Sequence, residues 1–82
     1  MNTMINKVII YSTPACVYCR MAKEFFKKHG VGFTELNVLI DEAARKEMSD
    51  KSHQMGVPVI DIDGEVFVGF NRSELERALG LK

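Results

Sequence analysis

The tightest constraint on this chain is the tetrapeptide Cys16-Val17-Tyr18-Cys19, which holds both of its cysteines. It follows an apolar run, Val8-Ile9-Ile10-Tyr11, and a short turn, Ser12-Thr13-Pro14-Ala15, and leads into an amphipathic segment over residues 20–29. Strand, turn, cysteine pair and helix, in that order, is the setting in which such a pair reads as a redox dithiol. Residues three apart on a helix are neighbours, so the two sulfurs can meet. A disulfide needs its Cα atoms within about 7 Å, and one helical turn satisfies that. The helix N-terminus carries unsatisfied N–H groups and a partial positive charge, which favour a thiolate at Cys16. Cys19 lies one turn further in, nearer the core, and keeps its proton longer. One sulfur is placed to attack and the other to resolve.

Other uses of the pair fit less well. A zinc site would need two more ligands, and His29 and His53 are not at the close spacing of a Cys2His2 site. A structural disulfide suits a secreted chain, and Met1 to Lys7 has no long apolar stretch of the secretory kind. At 82 residues there is room for one small domain. Eleven basic residues balance eleven acidic ones, so no net field favours nucleic acid or an anionic membrane surface. No apolar run approaches the roughly 20 residues of a membrane helix. The expectation is a soluble, cytoplasmic, monomeric protein, and in that compartment a lone cysteine pair is more often catalytic than structural.

The rest of the chain alternates strand and helix signals. Residues 5–11 read as a strand buried on both faces, because Val8-Ile9-Ile10 is β-branched without polar alternation. The first helix spans residues 16–29 with a buried stripe of Met21, Ala22, Phe25 and Phe26 and an ion pair between Glu24 and Lys28. His29 and Gly30 end it as last-turn cation and left-handed glycine. Residues 33–38 form a second, edge strand. Asp41 caps a helix over residues 42–53, with Ala44 and Met48 on one face and His53 as a cation near its end. A third strand opens at Gly56-Val57-Pro58, where a cis Val57–Pro58 bond would account for a proline at the start of a buried strand. Asp63-Gly64 signals a type I′ hairpin into a fourth strand, residues 65–68. Asn71 caps a last helix, with Glu74 in capping-box position, Leu75, Ala78 and Leu79 as its apolar stripe, and Gly80 as its stop. The pattern βαβ followed by ββα predicts an α/β domain with a four-stranded mixed sheet in the order 2-1-3-4. The first and third helices take one face and the second takes the other.

Three stretches together, Thr13-Pro14-Ala15-Cys16-Val17-Tyr18-Cys19, Gly56-Val57-Pro58 and Val68-Gly69-Phe70 before a last helix, resemble the glutaredoxins, and more narrowly the small glutaredoxin-like redoxins of bacteria. The resemblance runs over residues 7–79. It implies a thioredoxin fold with Cys16 as nucleophile and Cys19 as resolving cysteine. It also implies a cis Pro58 beside the dithiol and a Val57 backbone that pairs with an extended substrate by strand addition. Gly69, Phe70, Asn71 and Arg72 would form the far wall, where a glutathione carboxylate meets the N-terminus of the last helix, and Tyr18 would flank the groove. Several positions depart from the family pattern: Val17 replaces proline, Gly56 threonine, Phe70 glycine, Arg72-Ser73 an acidic pair, and Thr13 a basic residue. Phe70 would stand as a bulky, exposed ring where glutathione approaches.

The function expected is therefore thiol–disulfide exchange through Cys16 and Cys19 on protein disulfides or glutathione mixed disulfides. No cofactor is stored in the fold, and glutathione is the expected electron donor. The Gly69-Phe70 pair also resembles redoxins that take electrons from thioredoxin reductase and serve ribonucleotide reductase. A metal or iron–sulfur binding module and a non-enzymatic interaction domain are the readings from other classes.

Overall fold

The computed structural model describes residues 7–81. In chain order these form β1 (Val8–Ser12), α1 (Val17–Lys28), β2 (Thr34–Asn37), α2 (Glu42–Ser52), β3 (Val59–Ile62), β4 (Glu65–Val68) and α3 (Arg72–Leu79). The strands make one sheet ordered β2-β1-β3-β4, with β1 parallel to β2 and antiparallel to β3, and β3 antiparallel to β4. This is the four-stranded thioredoxin-type sheet with three helices that the pattern predicts.

β1 is central and all five of its residues are buried, so its side chains feed two cores in alternation. Val8 and Ile10 join Ala22, Phe25 and Phe26 of α1 and Leu75 of α3 on one face. Ile9 and Tyr11 join Ala44 and Met48 of α2 on the other. Asp41 caps α2 by accepting the Ala44 N–H at 3.0 Å, and Asn71 caps α3 by accepting the Glu74 N–H at 3.2 Å. Asp63 and Gly64 both take positive φ, 50° and 97°, as a type I′ turn requires.

The structure corrects several expectations. Ile5 and Asn6, read as the start of β1, lie outside the described residues, and the strand runs on to Ser12. β2 is Thr34–Asn37, shorter than residues 33–38: Phe33 before it packs its ring on Phe26, centroids 5.6 Å apart, and Val38 after it still donates to the Ser12 carbonyl at 2.9 Å. β3 begins at Val59, so Pro58 precedes the strand and removes no donor from its ladder. α1 spans Val17–Lys28, with Cys16 and His29 as its flanking caps. Met21 is 42% exposed rather than core, since it sits on the border of the buried stripe. Glu24 and Lys28 form no ion pair among the described residues. His53 closes α2 in the left-handed region, at φ 61°.

Candidate active site

The strand directions bring four chain segments to one end of the sheet. β1 ends there and passes into α1; β3, antiparallel to it, begins there; β4, antiparallel again, ends there. Tyr11 stands opposite Val59, and Val59 opposite Val68. One residue further along each strand, Ser12, Pro58 and Gly69 are therefore abreast. Pro14 follows Ser12 by two residues, and Cys16 opens α1 immediately after that turn.

Cys16 is the N-cap of α1, in extended conformation at φ −89° and ψ 114°, and its sulfur accepts the Cys19 N–H at 3.1 Å. The sulfur thus fills the position at which a capping oxygen normally meets an unsatisfied helix donor. Cys16 and Cys19 are joined as a disulfide, with Cα atoms 5.2 Å apart. The first turn of α1 has no acidic side chain to offset the positive end of the helix. Cys16 is half-buried at the rim and Cys19 is 1% exposed. Burial disfavours an ionised thiol, whereas the helix terminus and a donated N–H favour it. The two sulfurs therefore sit in opposite environments a single helical turn apart. Tyr18, between them in sequence, points out and is 60% exposed.

The opposing wall is built from the α2–β3 and β4–α3 connections. The Val57–Pro58 bond is cis. The Pro58 carbonyl accepts the Gly69 N–H at 2.8 Å, tying the entry of β3 to the exit of β4. Gly69 takes φ +85°, a left-handed conformation in which a side chain would be strained. The N–H and C=O of Val57 make no hydrogen bond among the described residues. They are left as an unpaired backbone edge.

Phe70 departs from expectation. It is half-buried and packs edge-on against Phe25, centroids 5.9 Å apart, rather than projecting over the dithiol end. With Met21, Glu24, Lys28 and Arg72 these two rings line a shallow cavity of about 230 Å³ between α1 and α3. Arg72 reaches Glu76 at 3.4 Å, and Asn71 is engaged as the cap of α3.

Two features escaped the sequence reading. One is the grouping of exposed apolar side chains at the dithiol end of the sheet: Val17 and Tyr18 in the first turn of α1, Leu39 and Ile40 just after β2, and Val68 at the end of β4. The other is an ionic network on the α2 face. Lys51 donates to Asp61 and to the Tyr11 hydroxyl, each at 2.6 Å, and lies 3.3 Å from Glu47, which accepts from Tyr11 at 2.8 Å. Burial works against the Lys51 charge, but its bonds to Asp61, Tyr11 and Glu47 outweigh that and hold its pKa above the usual lysine range. Burial pushes the Tyr11 hydroxyl up, against the Lys51 bond that lowers it, and the Glu47 bond adds to the rise. A signal for this network exists in Asp61 itself, a carboxylate inside the run Val59-Ile60-Asp61-Ile62, which demands a buried partner. Among the described residues no group of three or more His, Cys, Asp or Glu side chains could hold a metal ion. No helix among them is long and apolar enough to cross a membrane.

Comparison with known proteins agrees with this geometry. Residues 8–67 match the family model Glutaredoxin. An uncharacterized glutaredoxin-like 8.6 kDa protein in the rubredoxin operon of Clostridium pasteurianum is 46% identical over 70 residues, covering 85% of this chain and 93% of that protein. The glutaredoxin-like protein NrdH of Lactococcus lactis is 38% identical over 73 residues, covering 85% of this chain and 96% of that one. Among solved structures, the thioredoxin-like protein BC3987 superposes with a TM-score of 0.84 at 36% identity, covering 89% of this chain and 100% of that one.

Proposed function

This chain belongs to the glutaredoxin family of thiol–disulfide oxidoreductases, and we propose that within it the chain reduces disulfides of other proteins by a two-thiol route. The observation that carries this reading is the pairing of a rim sulfur at a helix N-terminus, Cys16, with a buried one, Cys19, next to the unpaired Val57 edge. In the reduced protein the Cys16 thiolate attacks one sulfur of the substrate disulfide. The substrate's S–S bond breaks, its other sulfur leaves as thiolate, and a Cys16–substrate mixed disulfide forms. Cys19 gives up its proton and attacks Cys16. The second substrate sulfur leaves, and the Cys16–Cys19 bond remains. Two electrons have passed to the substrate, and an outside dithiol or pair of thiols must return them. Val57 supports this by offering an N–H and a C=O to an extended segment on either side of the attacked sulfur.

Glutathione is the donor proposed first, at low affinity. The N–H groups of Arg72 and Ser73 at the start of α3 suit its carboxylate, but Arg72 and Ser73 themselves stand where an acidic pair would meet its amine. A second reading, recharging by a protein such as thioredoxin reductase, is favoured by the exposed apolar side chains around the dithiol end. The likeness to an NrdH protein supports the same reading. Turnover of one disulfide substrate with glutathione and its reductase, against turnover with thioredoxin reductase, decides between donors. Cys16→Ser should lose all exchange, whereas Cys19→Ser should keep reactions that need one thiol, such as reducing a glutathione mixed disulfide. Equal loss in both variants defeats the assignment of roles.

A further inference from the structure

The loop between α2 and β3 contains a side-chain clamp on the backbone. Gln54 Oε1 accepts the Gly56 N–H at 2.7 Å, and Gln54 Nε2 donates to the Gly56 carbonyl at 3.1 Å. One amide group thus satisfies both polar groups of one residue, as a neighbouring strand would. Its orientation is dictated, because reversing it would set NH2 against N–H and oxygen against carbonyl. Nε2 also donates to Ser52 Oγ at 3.1 Å, and Ser52 Oγ donates to the Met48 carbonyl at 2.7 Å. The clamp is anchored in the last turn of α2, which Lys51 fastens to the sheet through Asp61.

The Gly56 carbonyl belongs to the same peptide unit as the Val57 N–H. In a trans peptide these two groups point in opposite directions, and the cis bond lies one residue further on, at Val57–Pro58. Holding the carbonyl on the Gln54 side turns the Val57 N–H away from Gln54, where it has no partner among the described residues. We propose that Gln54 is a positioning residue for substrate docking: by clamping Gly56 it fixes the Gly56–Val57 peptide so that the Val57 edge is held open to an extended substrate segment. This rests on the reading of Val57 as a docking edge.

The clamp also gives a physical reason for glycine at position 56. Gly56 is not in the left-handed region, so its backbone does not require glycine. A Cβ there would stand 2.9 Å from Gln54 Oε1, so the amide must shift to admit it. A side chain at 56 therefore moves the amide from the place in which it bonds the Gly56 backbone. Gln54 and Gly56 act as a pair, and their effects should not add.

The test compares Gln54→Ala, Gln54→Glu, Gly56→Ala and the double variant Gln54→Ala/Gly56→Ala with the unaltered protein. Three measurements are made: amide hydrogen exchange at Gly56, steady-state kinetics giving KM and kcat for insulin disulfides with dithiothreitol as reductant, and the rate of Cys16 alkylation by iodoacetamide. Gln54→Ala should lose protection at Gly56 and raise KM about three- to tenfold, the scale of one lost hydrogen bond. Alkylation of Cys16 should stay within about twofold, because the sulfur's own surroundings are untouched. Gly56→Ala should do the same alone and add little to Gln54→Ala. Gln54→Glu keeps an acceptor for the Gly56 N–H but sets a carboxylate against its carbonyl, so it should restore the protection without restoring KM. Additive effects at 54 and 56 overturn the pairing. An active protein whose KM ignores Gln54→Ala overturns this proposal alone, whereas an unaltered protein that leaves insulin oxidised overturns the docking reading with it.

Discussion

On the α1/α3 face of the sheet Phe25, Phe26 and Phe67 meet Ile10, Ile60 and Leu75 in a cluster made wholly of apolar side chains. On the α2 face a smaller cluster around Tyr11 and Met48 lies beside the Lys51–Asp61–Tyr11–Glu47 network. The first face is held by burial, which is strong and has no direction. The second adds short polar contacts, which have direction and distance. The difference matters because α2 leads into the loop that ends at Val57 and Pro58. A helix held only by apolar contact can slide or rotate by small amounts, whereas one pinned by Lys51 to β3 cannot do so without breaking an ion pair. The larger apolar cluster should therefore make the α1/α3 face the greater source of stability, and the pinned α2 face should set the position of one wall of the site.

Phe26→Ala tests the first half of that contrast and should be the largest effect. Phe26 is fully buried and touches Phe25 and Phe33 through its ring, at centroid distances of 5.8 and 5.6 Å. Its truncation should cost about 3–5 kcal/mol in urea unfolding. A cost below about 1.5 kcal/mol would mean that this face does not dominate.

Lys51→Met tests the second half. Asp61, 7% exposed, would lose its cation while keeping the Gly64 N–H on Oδ1 at 2.7 Å. The cost should be about 1–3 kcal/mol, and adding Asp61→Asn should recover part of it, since an uncharged amide no longer needs the cation. The distinguishing outcome is elsewhere: Lys51→Met should raise KM for a protein disulfide, and Phe26→Ala, at equal residual stability, should not. The network also sets a pH limit. Lys51 has a folded pKa above its unfolded value, so its contribution is complete below about pH 10.4 and is lost as pH rises through the folded value. The raised Tyr11 hydroxyl acts in the same sense from about pH 10 upward. Unfolding free energy should hold between about pH 7 and 9 and then decline, and Lys51→Met should flatten that decline.

The same contrast governs what the sequence discloses. β1, α1 and the paired cysteines are legible because their signals are local: a β-branched run, a 3.6-residue stripe and a CxxC at a helix start. The strand order follows, because βαβ has one hand and Asp63-Gly64 one turn type. The directed contacts are not local. Tyr11 and Lys51 are 40 residues apart, and although Asp61 signals the need for a buried partner, nothing in the sequence names Lys51 as that partner or joins Tyr11 to it. Phe70 is illegible for a related reason: whether a ring after a left-handed glycine points to solvent or to the core depends on Phe25, which reaches it only through tertiary packing. Met21 fails as core because a helical stripe defines its centre better than its borders.

Glu35 offers the smallest test, on the edge strand β2. It accepts from Lys23 Nζ and from Ser12 Oγ, each at 2.8 Å. The Lys23 bond first, and then the Ser12 bond, hold its carboxyl below the usual glutamate range against the opposing pull of burial. A depressed carboxylate stabilises the fold above its unfolded pKa, and that contribution is lost as pH falls through the folded value. The pair resembles Lys51–Asp61 in its short contacts but not in its setting, because the Glu35 side chain is 39% exposed against 10% for Asp61. Solvent screens it, so Glu35→Gln should cost only about 0.2–1 kcal/mol at neutral pH. The variant keeps an oxygen for Ser12 and lacks the titrating proton, so its stability should fall less steeply than that of the unaltered protein below about pH 4.3. If Glu35→Gln costs as much as Lys51→Met, short contacts alone, and not their burial, decide what a polar bond is worth in this sheet, and the contrast between its two faces loses its physical basis.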